Sequence, residues 1–468
     1  MNYDYDIAII GGGPGGYVAA IRAAQLGAKV LLVEKEELGG VCLRKGCIPT
    51  KTLLKSAEKW QDLLHCREFG LCAERVSFDY PAITKRMQQV VEQLQKGICQ
   101  LLKSYNSIHV AVGTAILLSP NQIEISAPPG NEQYTVRKII IATGSLPVKL
   151  PVPGGESARV ISSDELLSMT VLPESMVIVG AGAVGVEFAS ILQSLGCKVT
   201  IIEAMPAILP SADNEVVKRM GLLLRKQGIK MMVHSKVTSI EEEPMGLTIY
   251  VSDHKGQQIA VKAEKLLAAV GREPQVSGLG LDKLGVEYSK KGITVNAKME
   301  TSIKGIYAIG DVTGQHMLAH IASAEGIVAA ENALAGNSHM DYSAVPACVF
   351  TTPEMAMVGL TEQEAAAQNF TVKISKFNFA ANGKAVSMSE SDGFVKIVAD
   401  DVSGKVLGMH ILGAHASDLI MEGVLAIRNG LSAREIAHTI HPHPSLSETI
   451  MECAHGIKGE IIHQARGK

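Results

Sequence analysis

One pattern occurs twice at a fixed interval, and it limits the fold more than any other feature of the 468 residues. Residues 6–10 read as an apolar strand running into Gly11-Gly12-Gly13-Pro14-Gly15-Gly16, then a helical stretch through Leu26 and a second strand at 29–34. Residues 176–179 lead in the same way into Gly180-Ala181-Gly182-Ala183-Val184-Gly185, a helix through Leu195, and a strand at 198–203. From the first glycine to the closing glutamate the interval is 23 residues in both copies. Each copy is a complete strand–helix–strand unit, and the duplication predicts an α/β protein with two Rossmann-like dinucleotide-binding domains.

The glycine positions carry chemistry. In Gly11-x-Gly13-x-x-Gly16 the first glycine permits a tight turn, the second lets backbone approach a pyrophosphate, and the third lets helix and strand pack closely. The phosphate charge then meets the amino end of a helix. Glu34 closes the second strand, where a carboxylate can accept both hydroxyls of an adenosine ribose; Gly180, Gly182, Gly185 and Glu203 repeat the arrangement. A ribose 2'-phosphate would bring negative charge beside Glu203, and Glu203-Ala204-Met205-Pro206 offers no arginine to offset it, so NAD is favoured over NADP.

Composition closes off other classes. With 47 % apolar and 19 % charged residues the chain is globular, and its length predicts about three domains. Forty-four basic residues stand against 47 acidic ones, a net charge of -3, so there is no broad attraction for nucleic acid or anionic lipid. Any anion must be held locally. Aromatic residues at 4 % provide no stacking platform for single-stranded nucleic acid. No stretch reaches the roughly 18 apolar residues of a membrane span, and no charged leader precedes the first strand. A cytoplasmic chain is expected, and a processed organellar protein would read the same.

Eight cysteines are too sparse and irregular for a disulfide framework. Those at 66, 72, 99, 197, 348 and 453 are expected to be buried thiols. Cys42 and Cys47 stand apart, within Gly39-Gly40-Val41-Cys42-Leu43-Arg44-Lys45-Gly46-Cys47-Ile48-Pro49-Thr50-Lys51. Four intervening residues allow a bridge across about one helical turn if the helix starts distorted. No second pair has matching spacing for zinc, and no metal site is expected. A helix amino end together with Lys45 or Lys51 would favour a thiolate and exchange chemistry.

Elsewhere, residues 78–103 have helical spacing, and 138–142 form a strand ending in Thr143-Gly144-Ser145. Pro147, Pro151 and Pro153 mark a crossing between domains. Ala268-Ala269-Val270-Gly271-Arg272 resembles the earlier strand-to-glycine junction, and 305–311 reads as a short strand ending in Gly310-Asp311 that returns to the first domain. From about Val345 the pattern changes to alternating strands such as 394–398, a helix at 416–429 and a polar, histidine-rich tail, taken together as a separate α+β domain. His443 lies five residues before Glu448, with Pro444 limiting the backbone between them. Alone it would be an ordinary surface or capping residue, but a turn that folds Glu448 back would fix its tautomer.

Both loops, the Gly-Gly-x-Cys-x4-Cys-Ile-Pro-x-Lys segment, Tyr307-Ala308-Ile309-Gly310-Asp311, and His441-Pro442-His443-Pro444-Ser445-Leu446-Ser447-Glu448 occur in this order. Over essentially the whole chain the sequence resembles the flavoprotein disulfide oxidoreductase family, in its dihydrolipoamide dehydrogenase branch. That resemblance implies FAD on the first loop and NAD on the second. It divides the chain into an FAD-binding domain at 1–146, an NAD-binding domain at 147–270, a central domain at 271–344 and a homodimer interface domain at 345–468. Cys42 would be the interchange sulfur that meets substrate, and Cys47 the sulfur against the flavin. Lys51 would lie beside flavin N5, paired with Glu187. His443 and Glu448 would face the disulfide of the other subunit, supported by His441. Gly11, Gly13, Gly16, Glu34, Lys51, Gly113, Thr143 and Gly144 would line the FAD site, with Asp311 on a ribityl hydroxyl and Met317, Leu318 and Ala319 near the ring. Gly180, Gly182, Gly185, Glu187, Glu203 and Gly271 would line the NAD site. The implied reaction oxidises protein-bound dihydrolipoyl groups and reduces NAD, serving lipoyl-carrying partners of 2-oxo acid dehydrogenase or glycine cleavage complexes.

Some positions depart from that pattern. Val41, Arg44 and Thr50 stand where threonine, asparagine and serine are usual, Pro442 where alanine is, and Ile321 where lysine is. Arg44 is expected to bear on the disulfide's potential or on the fit of a carrier, and Pro442 on the turn before His443. Glutathione and trypanothione reductases would need basic residues where Glu203 stands. Mercuric reductases carry a second cysteine pair near the carboxy terminus, where this chain has only Cys453. A soluble transhydrogenase would lack the disulfide, and a pure scaffold would not need Cys42, Cys47, Lys51 and His443 together.

Overall fold

In the computed structural model, which describes residues 3–465, both repeated units form as the spacing predicts. Tyr5–Ile10, helix Pro14–Gln25 and Val30–Glu34 make the first; Ser175–Val179, helix Ala183–Ser194 and Lys198–Ile202 make the second. The outermost positions of the expected first and last domains lie outside the described residues. Ile7, Ile9, Val30, Leu31 and Leu32 are completely buried, because helices cover one face of the parallel sheet and the antiparallel strands Thr114–Ser119 and Gln122–Ala127 cover the other. This is why these strands read as continuous apolar runs and not as alternations.

The first sheet sets Ile108–Val112, Val30–Glu34, Tyr5–Ile10 and Gly130–Ile141 side by side in parallel. The strand expected at 138–142 begins earlier, at Gly130: its polar first half pairs antiparallel with Gln122–Ala127, and its apolar second half enters the parallel sheet. Apolar runs alone do not register a solvated hairpin. The expected return at 305–311 is the strand Ile306–Ala308, with Ile306 opposite Ile139, followed by a 3-10 turn at Gly310–Thr313. Helix Ala319–Ala333 then packs on the first loop's helix at a glycine contact. A Cβ on Gly326 would lie 2.5 Å from the Gly15 carbonyl oxygen, so only glycine permits the approach.

The second parallel sheet runs Lys230–Met232, Lys198–Ile202, Ser175–Val179, Lys265–Ala268 and Val160–Ile161, beside a three-stranded antiparallel sheet of residues 236–263. The final unit is a five-stranded antiparallel sheet in the order Ala347–Val349, Glu354–Gly359, Val406–Gly413, Phe394–Asp400 and Val372–Asn378. The expected helix at 416–429 is divided into Ala416–Leu419 and Met421–Arg428. The tail is not simply polar: it carries helices Ala433–His438 and Glu448–Gly456, and Ile450, Cys453 and Ala454 of the latter join the sheet's core beside Phe377 and Val395. Helical spacing of those apolar residues was masked by the histidines around them.

The expectation for the six remaining cysteines needs correction. Cys66, Cys197 and Cys453 are buried, Cys99 and Cys348 are half-buried, and Cys72 is exposed in an irregular segment after the turn Cys66–Phe69. Among the described residues no helix is long and apolar enough to cross a membrane.

Candidate active site

The two glycine loops have the same internal geometry. Gly11 N–H donates to the Val33 carbonyl at 2.8 Å, and Gly180 N–H to that of Ile202 at 2.9 Å. Both first glycines take left-handed φ values, +110° and +100°, and a Cβ there would strike the carbonyl oxygen of Ala142 at 2.2 Å or of Ala269 at 2.4 Å. A Cβ on the third glycine, Gly16 or Gly185, would sit 1.8 or 2.0 Å from the carbonyl oxygen of Gly11 or Gly180. The middle glycines differ. Nothing lies within 4 Å of the Cβ position on Gly182, and only the Gly40 Cα, at 3.7 Å, lies near that on Gly13.

Each loop therefore keeps open space where backbone can meet a pyrophosphate, and each feeds a helix whose amino end has no side-chain cap. The carboxylates match as well. Glu34 accepts from Gly12 N–H at 2.7 Å and Glu36 N–H at 2.9 Å; Glu203 accepts from Ala181 N–H at 2.6 Å and Met205 N–H at 2.7 Å. A carboxylate offers about four lone-pair sites, so each retains capacity for ribose hydroxyls. The residues present fit two dinucleotides.

Helix Gly40–Lys45 carries Cys42, and helix Cys47–Leu64 begins at its partner. Between them Gly46 has φ -147° and ψ -107°, a break that serves as the distortion a bridge across this spacing requires. Thr50 Oγ donates to the Gly46 carbonyl at 2.6 Å and ties the break to the longer helix. The two thiols act on each other: the Cys47 thiol, and then burial, push the Cys42 pKa far up. Cys47 is brought down to about 7, first by the Cys42 thiol and then, against burial, by the Lys51 ammonium.

Lys51, and not Lys45, is the cation that acts on this pair. Lys45 reaches Glu36 at 3.2 Å, while Arg44 reaches Glu36 at 2.9 Å and Glu37 at 3.1 Å, so both turn toward the strand end that bears Glu34. Lys51 Nζ lies 2.8 Å from Oε2 of the buried Glu187, on the helix of the second loop. The other oxygen of Glu187 accepts from Phe350 N–H at 2.9 Å, and the Phe350 ring sits 4.3 Å from Lys51 Nζ. One carboxylate thus joins the cysteine helix, the second loop and the five-stranded sheet unit.

His443 and Glu448 come together as the turn requires. His443 Nδ1 lies 2.9 Å from Glu448 Oε1, and Ser445 N–H donates to Oε2 at 2.9 Å. Burial raises the Glu448 carboxyl, but the Ser445 N–H and then His443 hold it below its ordinary value. The imidazole is 80 % exposed, and its Nε2 has no partner among the described residues. Within one chain this dyad makes no hydrogen bond or ion pair with the cysteine segment. His441 is the buried counterpart: Nε2 meets Glu422 at 3.0 Å, and that bond raises its pKa.

Remaining expected residues fall around the first loop. Ser145 Oγ donates to Asp311 at 2.6 Å, and Arg272 donates to Ser145 Oγ at 2.8 Å. Thr143 Oγ donates to the Gln275 carbonyl at 2.8 Å, so the segments after Gly144 and Gly271 cross as a small antiparallel pair. Gly144 and Gly271 both have open space at the Cβ position. At Gly113 a Cβ would meet Ile125 Cγ2 at 2.6 Å, so protein fills that space. Met317, Leu318 and Ala319 are half-buried at the uncapped start of helix Ala319–Ala333.

Sequence reasoning passed over Phe350 and Glu325. Glu325 is 1 % exposed, accepts from Gly310 N–H and Tyr342 OH at 2.6 Å each, and has its pKa raised by burial. Its only sequence signal was to be one of two acids in a helix of small apolar residues.

Comparison with known proteins agrees with this architecture. Residues 5–326 match the family described as pyridine nucleotide-disulphide oxidoreductase, and residues 345–454 match the dimerisation domain of that family. A dihydrolipoyl dehydrogenase of Bacillus subtilis is 43 % identical over 474 residues, covering 99 % of this chain and 100 % of the relative. One from Thermus scotoductus is 42 % identical over 466 residues, 98 % of each chain. Among solved structures, LpdA from Mycobacterium tuberculosis has a TM-score of 0.88 at 27 % identity, covering 96 % of this chain and 99 % of its own. The HOCl-induced flavoprotein disulfide reductase RclA from Escherichia coli gives 0.86 at 28 % identity, with coverage of 96 % and 99 %. With residues 5–326 and 345–454 matched to that family and relatives above 40 % identity along nearly its whole length, the chain belongs to the pyridine nucleotide-disulphide oxidoreductase family, in its dihydrolipoyl dehydrogenase branch.

Proposed function

We propose that this protein oxidises protein-bound dihydrolipoyl groups to lipoyl groups and passes the electrons to NAD. The observation that carries the reading is the Cys42 and Cys47 pair on either side of a helix break, with Lys51 one turn further on and held by the buried Glu187. FAD would be held on the first loop by Gly11, Gly13, Gly16, Glu34 and Asp311, and when bound would supply the two-electron relay between dithiol and nicotinamide. NAD would be held on the second loop, where Glu203 would accept from its ribose.

The chain's own groups account for the thiol chemistry. His443 Nε2 takes a proton from one dihydrolipoyl thiol while Glu448 holds Nδ1 and stabilises the imidazolium. In the oxidised form of the pair, in which Cys42 and Cys47 are joined as a disulfide, the resulting thiolate attacks Cys42 Sγ; a sulfur–sulfur bond forms to substrate, the Cys42–Cys47 bond breaks, and Cys47 leaves as a thiolate. The second substrate thiol attacks the first substrate sulfur, releasing lipoyl disulfide and returning a proton to Cys42. Lys51 holds the Cys47 charge, and Glu187 holds Lys51.

Because His443 exposes Nε2 within a single chain, the reading includes a homodimer in which this nitrogen faces the cysteine pair of the partner subunit. The domain limits given above, a cytoplasmic setting, and lipoyl-carrying partners of 2-oxo acid dehydrogenase or glycine cleavage complexes belong to the same proposal.

Anaerobic mixing of FAD-loaded protein with dihydrolipoamide, followed in the visible spectrum and then by addition of NAD or NADP, tests it. Reduction by dihydrolipoamide and reoxidation by NAD alone is the expected result. Flavin that NADH reduces but dihydrolipoamide leaves untouched would overturn the substrate assignment.

A further inference from the structure

A second buried ionic cluster lies away from the cysteines, between the second glycine-loop unit and the five-stranded sheet. Lys396, on strand Phe394–Asp400, is 1 % exposed; its Nζ lies 3.0 and 3.2 Å from the carboxylate oxygens of Asp213, which is fully buried. Glu362 approaches the same ammonium at 2.8 Å and Glu215 at 3.4 Å. Asp213 has a second task, since its Oδ1 caps helix Asn214–Lys226 by accepting from Glu215 N–H at 3.0 Å and Val216 N–H at 3.4 Å. Lys396 comes from one unit of the fold and the cap it holds belongs to the other.

The segment leading into Asp213 starts at Glu203. It crosses the second glycine loop, where Leu209 N–H donates to the Ala181 carbonyl at 2.8 Å with Leu209 in a left-handed conformation, φ +47°. Ala181 N–H in turn donates to Glu203. Residues 204–213 are therefore held at one end by the loop and its carboxylate, and at the other by a lysine of the sheet unit that also bears His443 and Glu448. A buried ion pair adds little net stability over apolar residues of similar volume, and in some proteins it instead fixes the relative placement of the parts it joins.

We infer that Lys396, acting through Asp213, is a positioning residue for the nicotinamide nucleotide: it anchors the far end of segment 204–213 and so holds the Gly180–Gly185 loop and Glu203 in register for the adenosine half. The inference rests on the proposed use of NAD.

The test uses FAD-loaded full-length protein with Lys396→Met, Lys396→Arg and wild type, and follows the two half-reactions separately by stopped flow. Lys396→Met is expected to raise the NAD concentration for half-maximal reoxidation by about fivefold or more, with reduction by dihydrolipoamide changed less than about twofold and Lys396→Arg restoring most of the loss. The same NAD dependence in Lys396→Met and wild type would overturn the inference, as would an equal loss in both half-reactions. If Lys396→Met gives no FAD-loaded protein, Asp213→Asn carries the same comparison, because the amide keeps a capping oxygen and removes the charge that attracts Lys396. Wild-type protein that NAD does not reoxidise at all would sink the proposed function, a result distinct from either of these.

Discussion

Lys51 and Glu187 lie 2.8 Å apart although 136 positions separate them, one on the helix that starts at Cys47 and the other on the helix of the second glycine loop. The pair places a half-exposed ammonium near Cys47 with a buried carboxylate behind it, and the ring of Phe350 lies 4.3 Å from Nζ. Lys51 lowers the Cys47 pKa and Glu187 raises it.

Lys51→Met should therefore move the Cys47 inflection, which stands at about 7, upward by roughly one pH unit, as expected for loss of a nearby opposite charge. Glu187→Gln should move it downward. Ultraviolet thiolate absorbance of the reduced protein against pH checks both, and shifts of the same sign would contradict the arrangement.

The glycine loop predicts a contrast between two alanine substitutions. Gly182→Ala has open space at φ -71° and should leave the melting temperature within about 2 °C of wild type, while the added methyl obstructs close approach of a pyrophosphate and raises KM for NAD roughly tenfold. Gly180→Ala meets the Ala269 carbonyl at 2.4 Å with φ +100° and should cost about 2 kcal/mol or more of stability. Thermal melts and NAD titrations distinguish the two.

His443→Gln should slow reduction by dihydrolipoamide by about 10²–10⁴-fold, the usual worth of a general base. NADH oxidation with an artificial dye as acceptor needs no thiol deprotonation and should persist within about twofold. Equal loss of both activities would mean that the substitution disturbs the fold or the flavin site instead.

His441 gives a pH-dependent stability term. Its hydrogen bond to Glu422 raises the folded-state pKa above the ordinary histidine value, so the stabilisation is fully present below the unfolded pKa and is lost as pH rises through the folded one. Glu422 is 35 % exposed, which limits the term to about 1 kcal/mol. Thermal melts of His441→Gln should lie furthest below wild type near pH 6 and converge with it toward pH 9. A gap that widens as pH rises would reverse the assignment.

What the sequence determined by itself is local and periodic. Each glycine loop declares its turn, helix and closing carboxylate within 23 residues of its first glycine, directly after an apolar strand, because only glycine tolerates the turn and the close packing that follow. The same holds for Cys42, Cys47 and Lys51 on neighbouring turns, and for the short reach from His443 to Glu448. The tertiary structure decided which charges meet. Lys45 and Arg44 neighbour the cysteines in sequence yet pair with Glu36, while Lys51 reaches Glu187 and Lys396 reaches Asp213 between parts of the chain that belong to different sheets. Such partners carry no periodic signal, since a buried ion pair needs only opposite charge and a shared cavity, and those are created when separately folded layers pack. Phe350 and Glu325 escaped the sequence for that reason, and the Glu448–Gly456 helix showed itself only when its Ile450 and Cys453 found a sheet to cover.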